Sequence, residues 1–181
     1  MIDRTAAAAL LAAQAPEPSL VAHCRQTEAV MRALAEALGQ DAALWGLTGL
    51  LHDLDYPHTK ATPERHGLLA GERLADQLPP EALHAIAAHN DEHTGVAPDT
   101  VFDFALRVAE SVTGIISANA LVRPEGYTDM SPKSVKKKMT DKAFAANVRR
   151  DNIRECERAG LPLDTFLTLA IAAMAGLADQ A

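Results

Sequence analysis

Positive charge is in short supply in this chain: 17 Lys and Arg stand against 24 Asp and Glu, a formal net charge of −7. Duplex nucleic acid needs many Lys and Arg contacts to its phosphates, so that class of partner is not expected. A small phosphorylated ligand is not excluded, because one local basic patch suffices for it. Cysteine is nearly absent too. Cys24 and Cys156 are far apart and form no CxxC. Two reduced thiols in a cytoplasmic protein are the expectation. No run of about 20 apolar residues exists to cross a bilayer. The apolar stretch from Ala6 to Ala13 lacks the basic lead and cleavage site of a secretory signal. No membrane association is expected. P-loop, GxGxxG and GxSxG patterns are missing, which leaves ATP-driven, dinucleotide and serine-esterase chemistry without support.

Aromatic residues reach only 4%, and Ala and Leu dominate instead. Both are strong helix formers, since Ala loses no side-chain entropy on entering a helix and Leu loses little. No convincing strand and no internal repeat stand out. An all-α protein is therefore expected, with roughly seven to nine helices. At 181 residues the chain suits one compact domain better than two.

The spacing predicts helices over 3–14 and from Ser19 to Leu38, the latter stopped by Gly39. Asp41 caps a helix to about His52. That helix is apolar almost all round (Leu44, Trp45, Leu47, Leu50, Leu51), the pattern of a buried central element. Leu54 to Ala61 reads as a loop. Thr62 as N-cap and Pro63 at the first helical position open a helix to about Leu78. Pro80 opens a short one to about His89, followed by a polar loop from Asn90 to Pro98. Asp99 opens a long helix to about Leu121. Residues 122–141 are mixed, with Pro124, Gly126 and Pro132 as breakers. Helices from Asp151 to Ala159 and from Asp164 to about Ala178 complete the chain.

His23, His52, Asp53, His66, His89 and Glu110 are spread over these helices. Imidazole and carboxylate are the ligand set for divalent metals such as Zn, Mn, Fe or Mg. Adjacent ligands like His52-Asp53 cannot share one face of a regular helix. They can converge at a helix end, which the breaker-rich segment from Leu54 provides. A carboxylate there is costly to bury without compensation, and a metal is one compensation. Glu110 repeats the theme inside the apolar stretch VFDFALRVAESVTGII. His84 is five residues from His89, about 140° round a helix, and should point elsewhere. His58 and His93 read as rim or solvated residues, and Cys24 as a packing residue. The one dense basic run offers Lys133, Lys136, Lys137 and Lys138, and more weakly Arg123 outside it, as contacts for a substrate phosphate. Lys133 and Lys137 share a face. Arg149-Arg150 is a weaker candidate, and the bland reading of the run is a solvated helix face.

The order of these residues resembles the H…HD…D pattern of the HD superfamily of metal-dependent phosphohydrolases. The segments that carry the likeness are AHCRQTEAVMRALA, GLTGLLHDLDY and RVAESVTGII, with ERHGLLAGERL and AIAAHN resembling the extra His-bearing helices of members with a two-metal site. Glu110 stands where the pattern has Asp. The resemblance implies a single helical domain over 1–181, with a core of about 19–121 and a C-terminal extension of about 122–181. It implies His23, His52, Asp53 and Glu110 around a first ion, and His66 and His89 around a second with Asp53 shared. His52 and Asp53 would be the catalytic centre. The cofactor would be one or two divalent ions, with Mn, Fe, Zn, Mg and Ni not separable. The substrate would be a small phosphorylated metabolite or nucleotide, attacked by an activated water. Two other readings stand beside this: a di-iron oxygenase on the same fold, and a non-catalytic helical module with a structural metal or none.

Overall fold

Helix ends fall at the punctuation residues. The computed structural model describes residues 1–178. Helix α1 spans Arg4–Ala13, and Asp3 accepts the Ala6 N–H at 2.8 Å. Helix α2 spans Pro18–Leu38 and ends on Gly39 at φ 65°, the left-handed conformation that glycine adopts freely. Helix α3 spans Ala42–Leu51, capped by Asp41 through the N–H groups of Ala43 and Leu44. Then come α4 (Tyr56–Thr59), α5 (Leu68–Leu74), α6 (Pro80–Ala88), α7 (Asp91–Thr94) and α8 (Val101–Leu121). Helices α9 (Pro132–Thr140), α10 (Arg150–Arg154) and α11 (Leu163–Ala178) follow. The protein is all-α, and among the described residues there is no strand. The helices without an expected counterpart are α4 and α7, single turns of four residues, and α9, which forms within the segment read as mixed.

The apolar run of α3 is the buried centre: every residue from Trp45 to Leu51 is buried. It lies against α2 and also meets α1, α6 and α8. Trp45 stacks on Phe102 of α8, with ring centroids 4.9 Å apart. A Cβ on Gly49 would sit 2.9 Å from the Thr27 carbonyl oxygen. Glycine there lets α3 close onto α2, one turn from His52 on one helix and from His23 on the other. Helix α8 packs on α2, α6, α9, α10 and α11. The hydrophobic cluster runs from Ala7 to Met174, so Val135, Ile153 and Phe166 join the same core as α3. Residues 179–181, the end of the expected extension, lie outside the described residues.

Several expected boundaries move. The helix expected from Thr62 to Leu78 is a 3-10 turn, Pro63–Arg65, then α5. The break falls at Gly67, whose φ is 91°. Its N–H and that of Ala70 donate to the Asp55 carboxylate at 2.8 and 2.9 Å, so Asp55 caps α5 in place of Thr62. The expected loops around Tyr56 and Asp91 each contain one helical turn. Helix α8 is capped by Thr100 rather than opened by Asp99, in a capping box with Asp103. Pro132 starts α9, at the first-turn position where its missing N–H costs nothing. The helix expected to begin at Asp151 begins at Arg150 and turns 3-10 at Glu155–Glu157. Among the described residues no helix is long and apolar enough to cross a membrane.

Candidate metal centre

His52 is the C-cap of α3, where the chain leaves the helix. That is how adjacent residues come to one point: His52 turns back under α3 while Asp53 enters the cleft. His23 reaches the point from α2, His66 from the turn before α5, and His89 from the end of α6. The distances are short. His23 Nε2 lies 3.2 Å from His52 Nε2, and His66 Nε2 lies 3.1 Å from His89 Nε2. Asp53 Oδ1 is 3.2 Å from His66 Nε2, 3.4 Å from His52 Nε2 and 3.6 Å from His89 Nε2. Asp53 Oδ2 is 3.7 Å from His23 Nε2. Ligand atoms of His23, His52 and Asp53 all lie within 4.8 Å of one another, and so do those of Asp53, His66 and His89.

The outer nitrogen of each ring fixes its tautomer. His52 Nδ1 donates to the Gly49 carbonyl at 2.8 Å, and His89 Nδ1 donates to that of Ile86. His66 Nδ1 donates to Asp55 Oδ1 at 2.8 Å. The Thr113 hydroxyl donates to the Glu110 carbonyl at 2.7 Å, so at 3.0 Å it accepts from His23 Nδ1. With every Nδ1 a donor, a neutral ring turns its Nε2 lone pair inward, as where His23 faces His52, whereas the His66 ring, raised to about 9, holds a proton on Nε2 until an ion displaces it. Two lone pairs facing each other at such distances repel unless something positive lies between them. Two imidazoles bound to one divalent ion at about 2.1 Å place their nitrogens about 3.0–3.4 Å apart. The donor set therefore fits a metal ion, with outer-shell partners that fix each ring.

The electrostatics differ from ring to ring. Burial pushes His52 down to about 3, and nearby His23 and His89 add to that against the Asp53 charge, so the ring is a neutral ligand. Burial opposes ionisation of Asp53, but the surrounding histidines hold it well below the usual carboxylate range. Burial also opposes charge on His66, yet hydrogen bonds to Asp53 and Asp55 raise it to about 9. Burial and the Asp53 charge push the neighbouring Cys24 thiol upward, in keeping with a packing role.

The other expected residues are placed as follows. Glu110 borders the same cleft from α8, a cavity of about 410 Å³, and accepts the Ser111 hydroxyl. Its carboxylate belongs to neither three-residue cluster. Lys133, Lys136, Lys137 and Arg123 do not border this cleft. Helix α9 packs against α8 and α11, and Lys136 is paired with Asp164 at 2.6 Å. Lys133 and Lys137 are exposed. Arg123 donates to the carbonyls of Gly126 and Thr128, holding its own turn. The cation that reaches the cleft is Arg149, beside Asn147. His58 hydrogen-bonds Gln14, and His93 hydrogen-bonds Asn90. His84, with Asp99 and Asp103, forms a third group at the start of α8, where Asp103 already serves the capping box.

Sequence reasoning missed Asp55. It is fully buried, and both its oxygens are used, on His66 and on the N–H groups that begin α5. Its only signal was a second acidic residue two positions after Asp53. Among comparisons with known proteins, the family model described as HD domain matches residues 20–138, well over half of the chain. No curated protein and no solved structure matches it.

Proposed function

The chain belongs to the HD-domain family, whose members are generally metal-dependent phosphohydrolases, and from that premise we propose that this protein hydrolyses a phosphate ester of a small molecule. The observation that carries the reading is the convergence of His23, His52, His66 and His89 Nε2 atoms on Asp53. His23 and His52 would hold one divalent ion and His66 and His89 a second, with Asp53 between them. Glu110 would join the first from α8 by giving up the Ser111 hydroxyl. Such ions lower the pKa of water and offset the charge of phosphoryl oxygens.

The remaining work falls to the chain itself. Asp53 stays ionised between the rings and fixes the point at which phosphorus must sit. Asp55, the Gly49 and Ile86 carbonyls and the Thr113 hydroxyl each hold one ring by its Nδ1 and direct Nε2 to the centre. Arg149 and Asn147 line the cleft beyond and orient the ester with charged and neutral N–H donors. Incubating Mn-, Mg- and Zn-loaded protein with phosphate esters and nucleotides tests the reading. Ester cleavage that falls to background in His52→Ala and Asp53→Ala is expected. Absence of turnover with every metal would contradict it, and iron-dependent oxygen consumption would favour the oxygenase instead.

A further inference from the structure

Asp53 stands where two clefts meet. The first, of about 410 Å³, runs past His89, Asn90 and Glu110 to Arg149. The second, of about 440 Å³, runs toward the turn between α1 and α2, past Tyr56 to Glu17, Ser19 and Lys60. His23, Asp53 and Tyr56 belong to the walls of both. Each cleft has room for more than a phosphoryl group, and each has one cation on its wall.

Those cations are positioned. Arg149 Nη2 is held by Glu92 at 2.8 Å. The segment before it lies tight on α8, because a Cβ on Gly114 would meet Val148 at 2.7 Å. Arg150 pins that segment by donating to the carbonyls of Asp141, Phe144, Ala145 and Val148. In the second cleft the Lys60 Nζ lies 5.6 Å from the centre of the Tyr56 ring, a cation–π contact along the shared wall.

We propose that the substrate is a phosphodiester, with phosphorus at Asp53 and one organic substituent in each cleft; this rests on the phosphohydrolase reading above. A monoester has one substituent and leaves the other cleft to solvent. Charge points the same way. A diester is a monoanion, and it suits walls that, beyond the shared Asp53, each carry one cation and one acid, Arg149 with Glu110 and Lys60 with Glu17. In the reaction an O–P bond forms from water and one ester P–O bond breaks. The departing oxygen takes up a proton and leaves as an alcohol, and a phosphomonoester remains.

The test compares bis(para-nitrophenyl) phosphate with para-nitrophenyl phosphate on the Mn-loaded protein. Calorimetric binding of a slowly cleaved phosphorothioate diester supplies a readout independent of turnover. The diester is expected to show the higher kcat/KM by about tenfold or more. Arg149→Ala and Lys60→Gln should each raise its KM and weaken phosphorothioate binding by about tenfold, with kcat little changed. The monoester should respond to only one of the two variants. A preference for the monoester, or a Lys60→Gln variant silent in both diester KM and binding, overturns the proposal while leaving the phosphohydrolase reading intact. Cleavage of neither ester removes both.

Discussion

Asp55 carries more of the centre than its position in the sequence suggests. One oxygen fixes the His66 ring, and the other caps the start of α5. With asparagine in its place, the side-chain amide would turn a donor toward groups that are donors themselves. Asp55→Asn is expected to lower stability by about 1–3 kcal/mol, read by thermal unfolding, and metal affinity by about 10–100-fold. Burial would raise the Asp55 carboxyl, but His66 and the two N–H groups win and lower it. A depressed folded-state value stabilises the fold above the ordinary carboxylate range, and that stability is lost as pH falls through the folded value. Acid unfolding of the wild type should therefore be steeper than that of Asp55→Asn.

His66 has the opposite sign. Its value near 9 means that the ring is protonated at neutral pH before an ion arrives, so uptake must expel that proton. Apparent affinity is expected to rise with pH, by up to about tenfold per unit, and to level off near 9. Calorimetry at pH 7 in buffers of differing ionisation enthalpy should detect a released proton, and uptake with none released would contradict this. At this scale His52-Asp53 and the distant histidines were legible in the sequence, because a polar pair closing an apolar helix has few bland explanations. Asp55 was not. Its role depends on backbone N–H groups 12 and 15 residues away, and only the fold brings them to it.

Among the elements, two glycines decide how closely the ligand-bearing pieces approach. Gly49 joins α3 to α2, and Gly67 seats the start of α5 against α6. A Cβ on Gly67 would lie 2.7 Å from the Ile86 carbonyl oxygen, and its φ of 91° disfavours any other residue. Gly67→Ala is expected to cost about 1–3 kcal/mol from backbone strain alone. It should loosen the His66 and His89 half of the centre and spare that of His23 and His52. Titration should then show one class of ion weakened and one unchanged. The periodicity of 62–78 predicts one continuous helix because apolar spacing does not register a carbonyl on a neighbouring helix. The long helices were legible for the converse reason: α2, α3, α8 and α11 each bury a broad apolar face, and their ends carry caps or breakers.

For the whole molecule, the cleft is a joint product of early and late parts of the chain. Arg107 of α8 binds them together. It is buried and pairs with Asp91 at 2.6 Å and Glu155 at 2.9 Å, while also donating to the Ala88 carbonyl and to Asn152. Arg107→Ala leaves those carboxylates without their cation and is expected to cost about 2–4 kcal/mol in denaturant unfolding, tempered by their partial exposure. The basic run drew attention in the sequence because it is dense, yet α9 turns it away from the cleft. Arg149 reaches the cleft because the segment that carries it is folded onto Gly114, and no local pattern announces that packing.

The chemistry of the protein turns on whether the imidazoles around Asp53 hold two divalent ions. Equilibrium dialysis against Mn, with the bound metal counted by elemental analysis, decides it. Two ions per chain are expected in the wild type, one in His66→Ala, and none tightly held in Asp53→Ala. A wild type that binds one ion or none, or an Asp53→Ala variant that keeps the full complement, would contradict the two-ion centre.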